Sequence, residues 1–425
     1  MFYQHQKEII AEDPKKTGLF LGTGSGKTRI ALSLARGRTL VICPKTQKED
    51  ANWEREWDSL VDERAKNASD FPRIKELVVI SKEAFRRDWA SLSRFDTVIV
   101  DEAHTCLGVT PNTRQRNKVI IPRASQLFEA LSWFMEKNNP DRFYLCTATI
   151  LRSPMTVWAA AKLLGFEWDF YQFRHTFYVK LPMPGREVYT PKTDEATKER
   201  LANAVKKLGY VGRLEDYFDV PDQTYKTIWL DLTAKQKDRV KDMKLEYPEP
   251  IVRFGKIHQI ENGVLSGDEF NAPEEFDNEK IDTLLDLALE FPRMVVFAKF
   301  TAQIEAIRSA LSAKGYKTLV MTGDTKDRGS IIAEANNSPK CVFIAQAQIS
   351  AGWELPEYPV MVFASRSYSF VDYDQAIGRI QRVKNIKKNL YINLVVKGGS
   401  DEAVNDCLDQ KKDFNEKLYV SKYLD

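Results

Sequence analysis

The chain has 425 residues, of which 43% are hydrophobic and 29% are charged. This length exceeds what one hydrophobic core usually supports, so we expect two domains, and the composition excludes a disordered or fibrous protein. A formal net charge of +3 is too small to indicate a polyanionic partner by itself.

The N-terminal segment, MFYQHQKEII, lacks the basic and apolar regions of a signal peptide. No apolar run approaches the roughly 18 residues that cross a bilayer. We therefore expect a cytoplasmic protein without membrane contact. The five cysteines have no paired spacing, which argues against a disulfide framework or a zinc site.

Two stretches of the chain alternate short apolar strands with helix-like segments, which is the pattern of a parallel sheet covered by helices. The strands of the first are GLFLG, TLVICP, LVVIS, DTVIVDE and FYLCTAT, and those of the second are MVVFAKF, KTLVMTG, CVFIAQA, PVMVFAS and LYINLVV. Aromatic, Pro-punctuated and helical segments lie between them. We predict an α/β protein with domains at 1–164 and 280–425, joined by a linker and small accessory element at 165–279.

The segment GLFLGTGSGKT places a strand before a Gly-rich turn and a helix start. Backbone N–H groups and the helix dipole converge on phosphate at such a turn. We predict a phosphate loop formed by Gly24, Ser25 and Gly26, with Lys27 at the β- and γ-phosphates and Thr28 as a Mg²⁺ ligand. The strict pattern has Gly where this chain has Leu21, so the loop is a variant form; a Gly/Ser turn with a chance Lys-Thr is the alternative.

The segment DTVIVDEAH is an apolar strand that ends in paired acids. This arrangement suits Asp101 to hold Mg²⁺ and Glu102 to position an attacking water. Taken alone, the pair could be a solvated strand end and His104 a structural histidine. The chain has no HExxH helix and no nucleophile elbow, so a metalloprotease and a Ser-His-Asp hydrolase are excluded.

With both motifs present, the chain resembles the superfamily 2 DEAH-box helicases and translocases. The segment VGRLEDYFDVPDQTYKTIWLDLTAKQKDRVKDM is more similar to the Swi/Snf-type ATPases and their compact phage relatives. The resemblance spans nearly the whole chain. It implies two RecA-like parallel-sheet domains in tandem with an ATP cleft between them, and it implies ATP and Mg²⁺ as cofactors.

The resemblance also assigns roles to individual residues. YQHQKEI looks like the adenine-sensing motif, which implies that Gln6 binds the base. LCTATILRSP resembles the motif that couples hydrolysis to domain movement, which implies coupling roles for Thr147 and Thr149, and we place His104 with them. The segment AQAQISAGWELPEY carries Gly352, which we expect at the nucleotide site.

The segment YDQAIGRIQRVKN resembles the last helicase motif. The resemblance implies that Gln375 lines the cleft and that Arg379 and Arg382 are arginine fingers. A planar guanidinium can stabilise the charge that grows on the γ-phosphate oxygens in the transition state. Two surface arginines that pair with nearby acids are the alternative.

A motor that moves along nucleic acid grips the sugar-phosphate backbone, so its contacts should be hydroxyls, amides and scattered basic residues at strand ends. The candidates are Lys45, Thr46 and Ser81 in the first domain and Lys299, Thr322 and Gln346 in the second. The segment NTRQRNKVIIPR, after the DEAH strand, is either a DNA-contacting loop or a solvated basic loop.

We therefore expect a monomeric, ATP-dependent DNA helicase or translocase from a bacterium or a phage-infected cell. Duplex, forked or branched DNA is the expected substrate, in replication, recombination or repair. Three alternatives remain: an RNA helicase, a nucleotide-gated DNA-binding or remodelling module with little turnover, and a translocating subunit of a restriction system. The last is disfavoured, because it would need a nuclease or recognition domain, for which we expect the chain to have no room.

Overall fold

The computed structural model describes residues 2–65, 73–116, 119–183, 186–219, 221–267, 272–349, 353–381 and 388–410. The chain divides into two compact units, Met1–Asp219 and Val220–Asp425. Among the helices in the described ranges, none combines the length and hydrophobicity needed to cross a membrane.

Unit 1 contains ten strands and nine α-helices within its described residues. The strands are β1 (Lys16–Leu21), β2 (Gly37–Cys43), β3 (Ile74–Ser81), β4 (Thr97–Val100), β5 (Val109–Arg116), β6 (Val119–Ala124), β7 (Arg142–Cys146), β8 (Tyr178–Met183), β9 (Arg186–Pro191) and β10 (Gly209–Gly212). The helices are α1 (Gln4–Glu12), α2 (Lys27–Leu34), α3 (Lys45–Glu49), α4 (Asn52–Ala65), α5 (Lys82–Asp88), α6 (Gln126–Asn138), α7 (Pro154–Leu163), α8 (Phe170–Phe177) and α9 (Glu195–Leu208).

Six strands of unit 1 form one parallel sheet in the order β10-β1-β7-β4-β2-β3. Its strands are apolar on both faces because helices cover both sides. Phe20 and Ile42 pack on one face, whereas Leu19 and Val41 pack on the other. The remaining strands form two antiparallel hairpins, β5–β6 and β8–β9.

Unit 2 contains eight strands and seven α-helices within its described residues. The strands are β11 (Thr224–Leu230), β12 (Val264–Leu265), β13 (Glu274–Glu275), β14 (Arg293–Ala298), β15 (Thr318–Met321), β16 (Cys341–Gln346), β17 (Val360–Phe363) and β18 (Leu390–Val396). The helices are α10 (Ala234–Glu246), α11 (Pro250–Glu261), α12 (Glu279–Glu290), α13 (Thr301–Ala313), α14 (Arg328–Asn337), α15 (Phe370–Ile377) and α16 (Ser400–Asp409).

Unit 2 repeats the architecture of unit 1 with a parallel sheet in the order β11-β18-β17-β14-β16-β15. Val296 packs on one face of this sheet, and Val295 and Phe297 pack on the other. The two sheets confirm the predicted α/β class with two parallel-sheet domains in tandem, and they place the carboxyl ends of each set of strands along one edge.

The unit boundary differs from the predicted division at 1–164, 165–279 and 280–425. The middle segment is shared between the units. Its first part ends in β10, which pairs with β1, and its second part begins with β11, which pairs with β18. Both are edge strands whose partners lie far away in sequence, so their local pattern does not reveal which sheet they join.

Candidate functional site

The phosphate loop connects β1 to α2 in unit 1. Gly24 and Gly26 adopt φ angles of 84° and 81°, a left-handed conformation that strains residues carrying a Cβ. Gly26 is the N-cap of α2 and has no side chain to accept hydrogen bonds from the first turn. The N–H groups of that turn therefore suit an anion.

Lys27 folds back over the loop that precedes it. Its ammonium donates to the carbonyl oxygens of Leu21 at 2.8 Å and Gly22 at 3.1 Å. The buried Ser25 hydroxyl also donates to the Gly22 carbonyl, at 2.7 Å. Lys27 and Ser25 therefore close the loop by internal hydrogen bonds, and the contact of Lys27 with phosphate stays a prediction.

Two side chains from α1 hold this loop from the other side. Gln6 Nε2 donates to the Ser25 carbonyl at 3.0 Å, and His5 Nε2 lies 3.0 Å from the same oxygen. Gln6 is 2% exposed, and its Oε1 accepts from the Tyr3 backbone N–H at 3.0 Å. Both ends of the Gln6 amide are therefore bonded within unit 1, where they fix the loop. Its contact with adenine stays a prediction, and His5 is a loop contact that the sequence did not reveal.

Asp101 and Glu102 follow the carboxyl end of β4, two strands away from the phosphate loop. Asp101 is 9% exposed. Its Oδ1 accepts from the Glu102 backbone N–H at 2.9 Å, and its Oδ2 accepts from the Trp53 indole N–H at 3.2 Å. Trp53, which was not predicted as a site residue, therefore positions the predicted Mg²⁺ ligand.

Glu102 has a left-handed backbone, with φ 43° and ψ 51°. A residue with a Cβ is strained there by about 1–3 kcal/mol, so surrounding contacts must hold it. The buried Lys82 supplies one such contact, because its ammonium donates to the Glu102 carbonyl at 2.8 Å and to Thr105 Oγ1 at 2.5 Å. Lys82 is adjacent to the predicted Ser81 and was not predicted.

The three predicted coupling residues lie in direct contact. His104 Nδ1 is 2.8 Å from Thr147 Oγ1 and 3.2 Å from Thr149 Oγ1. The same nitrogen is 3.4 Å from Glu102 Oε2. Thr147 and Thr149 follow β7, which lies between β1 and β4 in the sheet. The DEAH segment is thus linked through His104 to the neighbouring strand end, although the coupling role itself stays a prediction.

His104 is neutral in this arrangement. Burial, together with the positive charges of Lys82, Arg152 and Lys27, lowers the pKa of His104 to about 3. A neutral imidazole can exchange hydrogen bonds between a carboxylate and a hydroxyl without adding a charge beside Glu102.

The donor chemistry of this strand edge fits Mg²⁺ bound together with a nucleotide. Among the described residues, no group of three or more His, Cys, Asp or Glu side chains could hold a metal. Mg²⁺ is typically held by one or two carboxylates while phosphates and waters complete its shell. Asp101 and the Thr28 hydroxyl, in the first turn of α2, are the side chains suited to hold it.

The predicted nucleic-acid contacts of unit 1 follow β2 and β3. The two strands pair in register up to Cys43 and Ser81, so Lys45 and Thr46 emerge at the edge that carries Ser81. Ser81 Oγ accepts from the Ala84 N–H at 3.2 Å and caps α5.

Those of unit 2 also share an edge. Ala298 pairs with Gln346, and Met321 with Ala345, so Lys299 and Thr322 both follow strands that end beside Gln346. Gln346 Oε1 accepts from the Gly323 N–H at 3.1 Å. Both sets lie at strand ends, while their binding to nucleic acid stays a prediction.

The last predicted motif lies on and after α15. Gln375 is 8% exposed. Arg379 is 7% exposed, and its guanidinium donates to the backbone carbonyls of Gln375 and Trp353, each at 2.9 Å. Arg379 therefore ties this motif to the segment at Trp353 within unit 2. Its arginine-finger role stays a prediction, and Arg382 and Gly352 lie outside the described residues.

Unit 2 also contains a buried polar cluster that the sequence did not reveal. Lys280 pairs with Asp401 and donates to Asn262 Oδ1 at 2.6 Å. His258 Nε2 lies 3.0 Å from Asp401 Oδ1, and its Nδ1 lies 2.9 Å from the Tyr368 hydroxyl. His258, Lys280 and Asp401 are each at most 2% exposed. We call these five residues, with Gln303, Ser365 and Glu261, the buried cluster.

The buried cluster reaches the strand end that carries Lys299. Gln303 Nε2 donates to Asn262 Oδ1 at 3.0 Å, and Ser365 Oγ donates to Gln303 Oε1 at 2.6 Å. The Lys299 backbone N–H then donates to Ser365 Oγ at 2.7 Å. The Lys299 ammonium lies over the Tyr368 ring. Lys299, a predicted nucleic-acid contact, is therefore held to the buried cluster through its backbone N–H and through its side chain.

Two acids of the buried cluster have opposite pKa shifts. Burial and then the nearby Asp401 charge raise the pKa of Glu261 to about 7, although Ser400 and Asp401 donate hydrogen bonds to it. Burial would raise the pKa of Asp401, but the Lys280 charge and the His258 hydrogen bond lower it. The charges of Lys280 and Asp401 cancel, so ionisation of Glu261 would leave one buried negative charge unbalanced.

Comparison with known proteins gives a family match in the second half of the chain. Residues 279–384 match the family described as the helicase conserved C-terminal domain. The matched residues lie within unit 2 and are similar to that domain. This match confirms the helicase relationship expected from the sequence for residues 279–384, which include α15 and the strand-end residues Lys299, Thr322 and Gln346.

Solved structures also match this chain. One is the Sulfolobus solfataricus SWI2/SNF2 ATPase core in complex with dsDNA, with 17% sequence identity and a TM-score of 0.40, covering 99% of this chain and 93% of that chain. No curated protein sequence gives a significant match.

Proposed function

We propose that this chain is a DNA-stimulated ATPase that moves along DNA, as a helicase or translocase of the Swi/Snf type. One observation carries the proposal. Three adjacent strands, β1, β7 and β4, end in the phosphate loop, the Thr147–Thr149 segment and the Asp101–Glu102 pair. The similarity of residues 279–384 to the helicase conserved C-terminal domain supports a motor rather than a simple nucleotide-binding protein.

Each residue of this edge has a part in hydrolysis under the proposal. Lys27 places its charge at the β- and γ-phosphates, and Asp101 and Thr28 hold Mg²⁺, which neutralises phosphate charge when bound. Glu102 orients the attacking water and accepts its proton. The strained Glu102 backbone, held by Lys82, fixes the direction in which this carboxylate points.

The neutral His104 gives the proposal its coupling step. It contacts the Glu102 carboxylate and both threonines, so a shift of the Thr147–Thr149 segment changes the position of the water-orienting carboxylate. DNA bound at the strand ends can alter turnover by this path without touching ATP.

The test is ATP hydrolysis measured with duplex, single-stranded, forked and branched DNA and with RNA. We expect stimulation by DNA, and we expect Glu102→Gln and Lys27→Ala to lower turnover by at least about 100-fold, because each removes a group that acts on the transition state. Glu199→Gln, an exposed change on α9, is the matched control and should keep full activity. Circular dichroism should show an unchanged fold in all three variants.

Normal ATP turnover in the Glu102→Gln protein would contradict the assignment of this strand edge as the hydrolytic site. Stronger stimulation by RNA than by every DNA would instead make RNA the substrate. ATP binding without turnover would favour the nucleotide-gated DNA-binding module. If DNA stimulates turnover, the ranking of forked and branched DNA against duplex DNA tests the proposed role in fork or branch remodelling.

A further inference from the structure

The β5–β6 hairpin of unit 1 is a feature that the hydrolytic site does not use. It lies between the DEAH segment and α6, and its strands pair from Val109 with Ala124 to Arg116 with Val119. The sequence 109–124 contains four basic residues and no acidic residue. The hairpin is therefore a basic insertion at the side of a parallel sheet.

The base of the hairpin is firmly attached to the rest of unit 1. The Ser125 N–H donates to the Gly108 carbonyl at 2.7 Å, and Arg174 Nη1 donates to the Pro111 carbonyl at 3.0 Å. Arg114 forms an ion pair with Glu129 of α6. These contacts close the base of the hairpin and attach β5 to α6 and α8, so the hairpin has a defined direction rather than the freedom of a loop.

The distal part of the hairpin is exposed on both of its faces. Val119 is 60% exposed and Ile120 is 61% exposed. Consecutive side chains of a strand point to opposite faces, so the described residues of unit 1 cover neither face at this end. Exposed β-branched side chains at a strand end favour unwanted association, and an apolar surface that becomes covered in function would account for them.

Arg116 pairs with Val119 at this apolar end, and Arg123 lies on the same hairpin nearer its base. Arg116 lies over the Trp133 ring at 4.8 Å from its centroid, and Trp133 is itself 37% exposed, with the Trp89 ring 5.8 Å away. Arg116 and Arg123 are exposed. One carboxylate, that of Glu129, pairs with Arg114 and lies 3.7 Å from Arg116. Cations beside flat and apolar surfaces match nucleic acid, whose phosphates are anionic and whose base faces are apolar.

We propose that the β5–β6 hairpin is a second DNA contact of this chain and binds where duplex DNA meets single strands. Val119 and Ile120, which point to opposite faces of the strand, contact the faces of the bases that unpair at the end of the duplex. Arg116 at this end and Arg123 nearer the base of the hairpin bind backbone phosphates. Because unpaired bases expose apolar faces, an apolar end stabilises the open junction relative to the closed one. The inference rests on the proposed function, because it takes DNA as the substrate. The hairpin is a different site from the predicted DNA contacts at the carboxyl ends of the sheet strands.

The first test needs no ATP. A forked duplex carries 2-aminopurine in its last base pair, whose fluorescence rises when that base unstacks. The wild-type protein should raise the fluorescence on binding, and the Val119→Ser/Ile120→Ser protein should lose most of this rise. The matched control, Leu245→Ser/Leu289→Ser, removes two aliphatic side chains of unit 2 that are 86% and 76% exposed, and should behave as the wild type.

The second test separates strand opening from hydrolysis. On the same fork, the Val119→Ser/Ile120→Ser protein should displace the strand at least about 10-fold more slowly while its DNA-stimulated ATPase stays within about 2-fold of the wild type. Arg116→Ala/Arg123→Ala should weaken binding and flatten the dependence of affinity on salt by about one to two released ions. Equal thermal melting of all variants excludes unfolding as the cause.

The outcomes distinguish the two proposals. Absence of DNA-stimulated ATPase in the wild type contradicts the proposed function, whereas the ATP-free fluorescence still decides the hairpin. Fluorescence and displacement that are equal in the Val119→Ser/Ile120→Ser protein and the wild type overturn the junction contact, and the apolar end would then suit a protein partner. Strand displacement lost together with the ATPase would also overturn it, because the hairpin would then support hydrolysis.

Discussion

The polar clusters of the two units differ in their exposure and in their hydrogen-bond and ion-pair partners. In unit 1, Glu102 and His104 meet at a strand edge, where the Glu102 side chain is 22% exposed and His104 is almost fully buried. In unit 2, Lys280, Asp401 and His258 are enclosed and bond to one another. The first arrangement leaves the side chain of the predicted water-orienting residue partly exposed, whereas the second uses buried charges to hold segments of the protein together.

This difference shows that a shifted pKa can accompany either a predicted catalytic site or a purely structural ion pair in the same molecule. Burial and nearby positive charges lower the pKa of His104, whereas, against the effect of burial, the Lys280 charge and the His258 hydrogen bond lower the pKa of Asp401. Of the two, His104 is the one that lies beside predicted catalytic residues. A buried ion pair stabilises little relative to apolar residues, but breaking one partner leaves an unpaired charge that costs several kcal/mol. The variants that follow test this contrast in stability and in turnover.

The largest effect is expected from Asp401→Asn. It leaves the Lys280 ammonium buried without a counter-ion and should lower the free energy of unfolding by about 3–5 kcal/mol in denaturant titrations. The matched control is Asp238→Asn, which breaks the exposed Asp238–Lys241 pair and should change stability by at most about 1 kcal/mol. Similar values for both variants would contradict a structural role for the buried cluster.

A smaller loss is expected from Gly26→Ala. The left-handed backbone costs about 1–2 kcal/mol for any L residue, and the new Cβ would collide with Gln6 Nε2. Gly165→Ala is the control, because Gly165 has φ 90° with no atom near its Cβ position. Thermal melting should show a larger loss for Gly26→Ala, and calorimetry should show ATP binding weakened about 10-fold, equal to 1.4 kcal/mol. Equal losses of stability in the two variants would mean that the Gln6 side chain moves away from the new Cβ at no cost in free energy.

His104→Ala tests the link between the DEAH segment and β7. It removes hydrogen bonds to two hydroxyls, at an expected cost of about 1–3 kcal/mol in unfolding free energy. The ratio of DNA-stimulated to basal ATPase should fall by about 10-fold, because the contact between Glu102 and the threonines is lost. A proportional loss of both rates would contradict a coupling role and favour direct support of catalysis.

The smallest effect concerns the pH dependence of unit 2. The folded pKa of Glu261 is raised to about 7, so between its ordinary value of 4.5 and that pH the folded state holds a proton that the unfolded state releases. The stability it contributes is present at low pH and is lost as pH rises, by at most about 1.4 kcal/mol per pH unit.

Glu261→Gln should flatten this slope in unfolding titrations between pH 4.5 and 7. Asp401 has its pKa shifted downward, and its contribution is lost only as pH falls below its ordinary range, so it leaves this window unchanged. His104 acts in the opposite direction, since its lowered pKa makes stability fall as pH drops below 6.5. An unchanged slope in the Glu261→Gln protein would contradict a proton held at Glu261.

The sequence by itself determined the α/β class, the phosphate loop and the acidic pair, because these depend on neighbouring residues. A strand, a turn and a helix start are encoded within about ten residues, and parallel strands bring their carboxyl ends to one edge. Thus Lys27, Glu102 and Thr147 could be predicted at the same edge before any packing was known.

Only the tertiary structure decided which distant side chains meet. Trp53 reaches Asp101, and Lys280 reaches Asp401 across 121 positions of sequence. It also assigned β10 and β11 to different sheets, which moved the unit boundary to Asp219. Hydrogen bonds and ion pairs act over a few ångströms, so packing sets them rather than the local pattern. The exposure of Val119 and Ile120 has the same origin, because a β-branched run has the same sequence pattern whether or not another surface covers it.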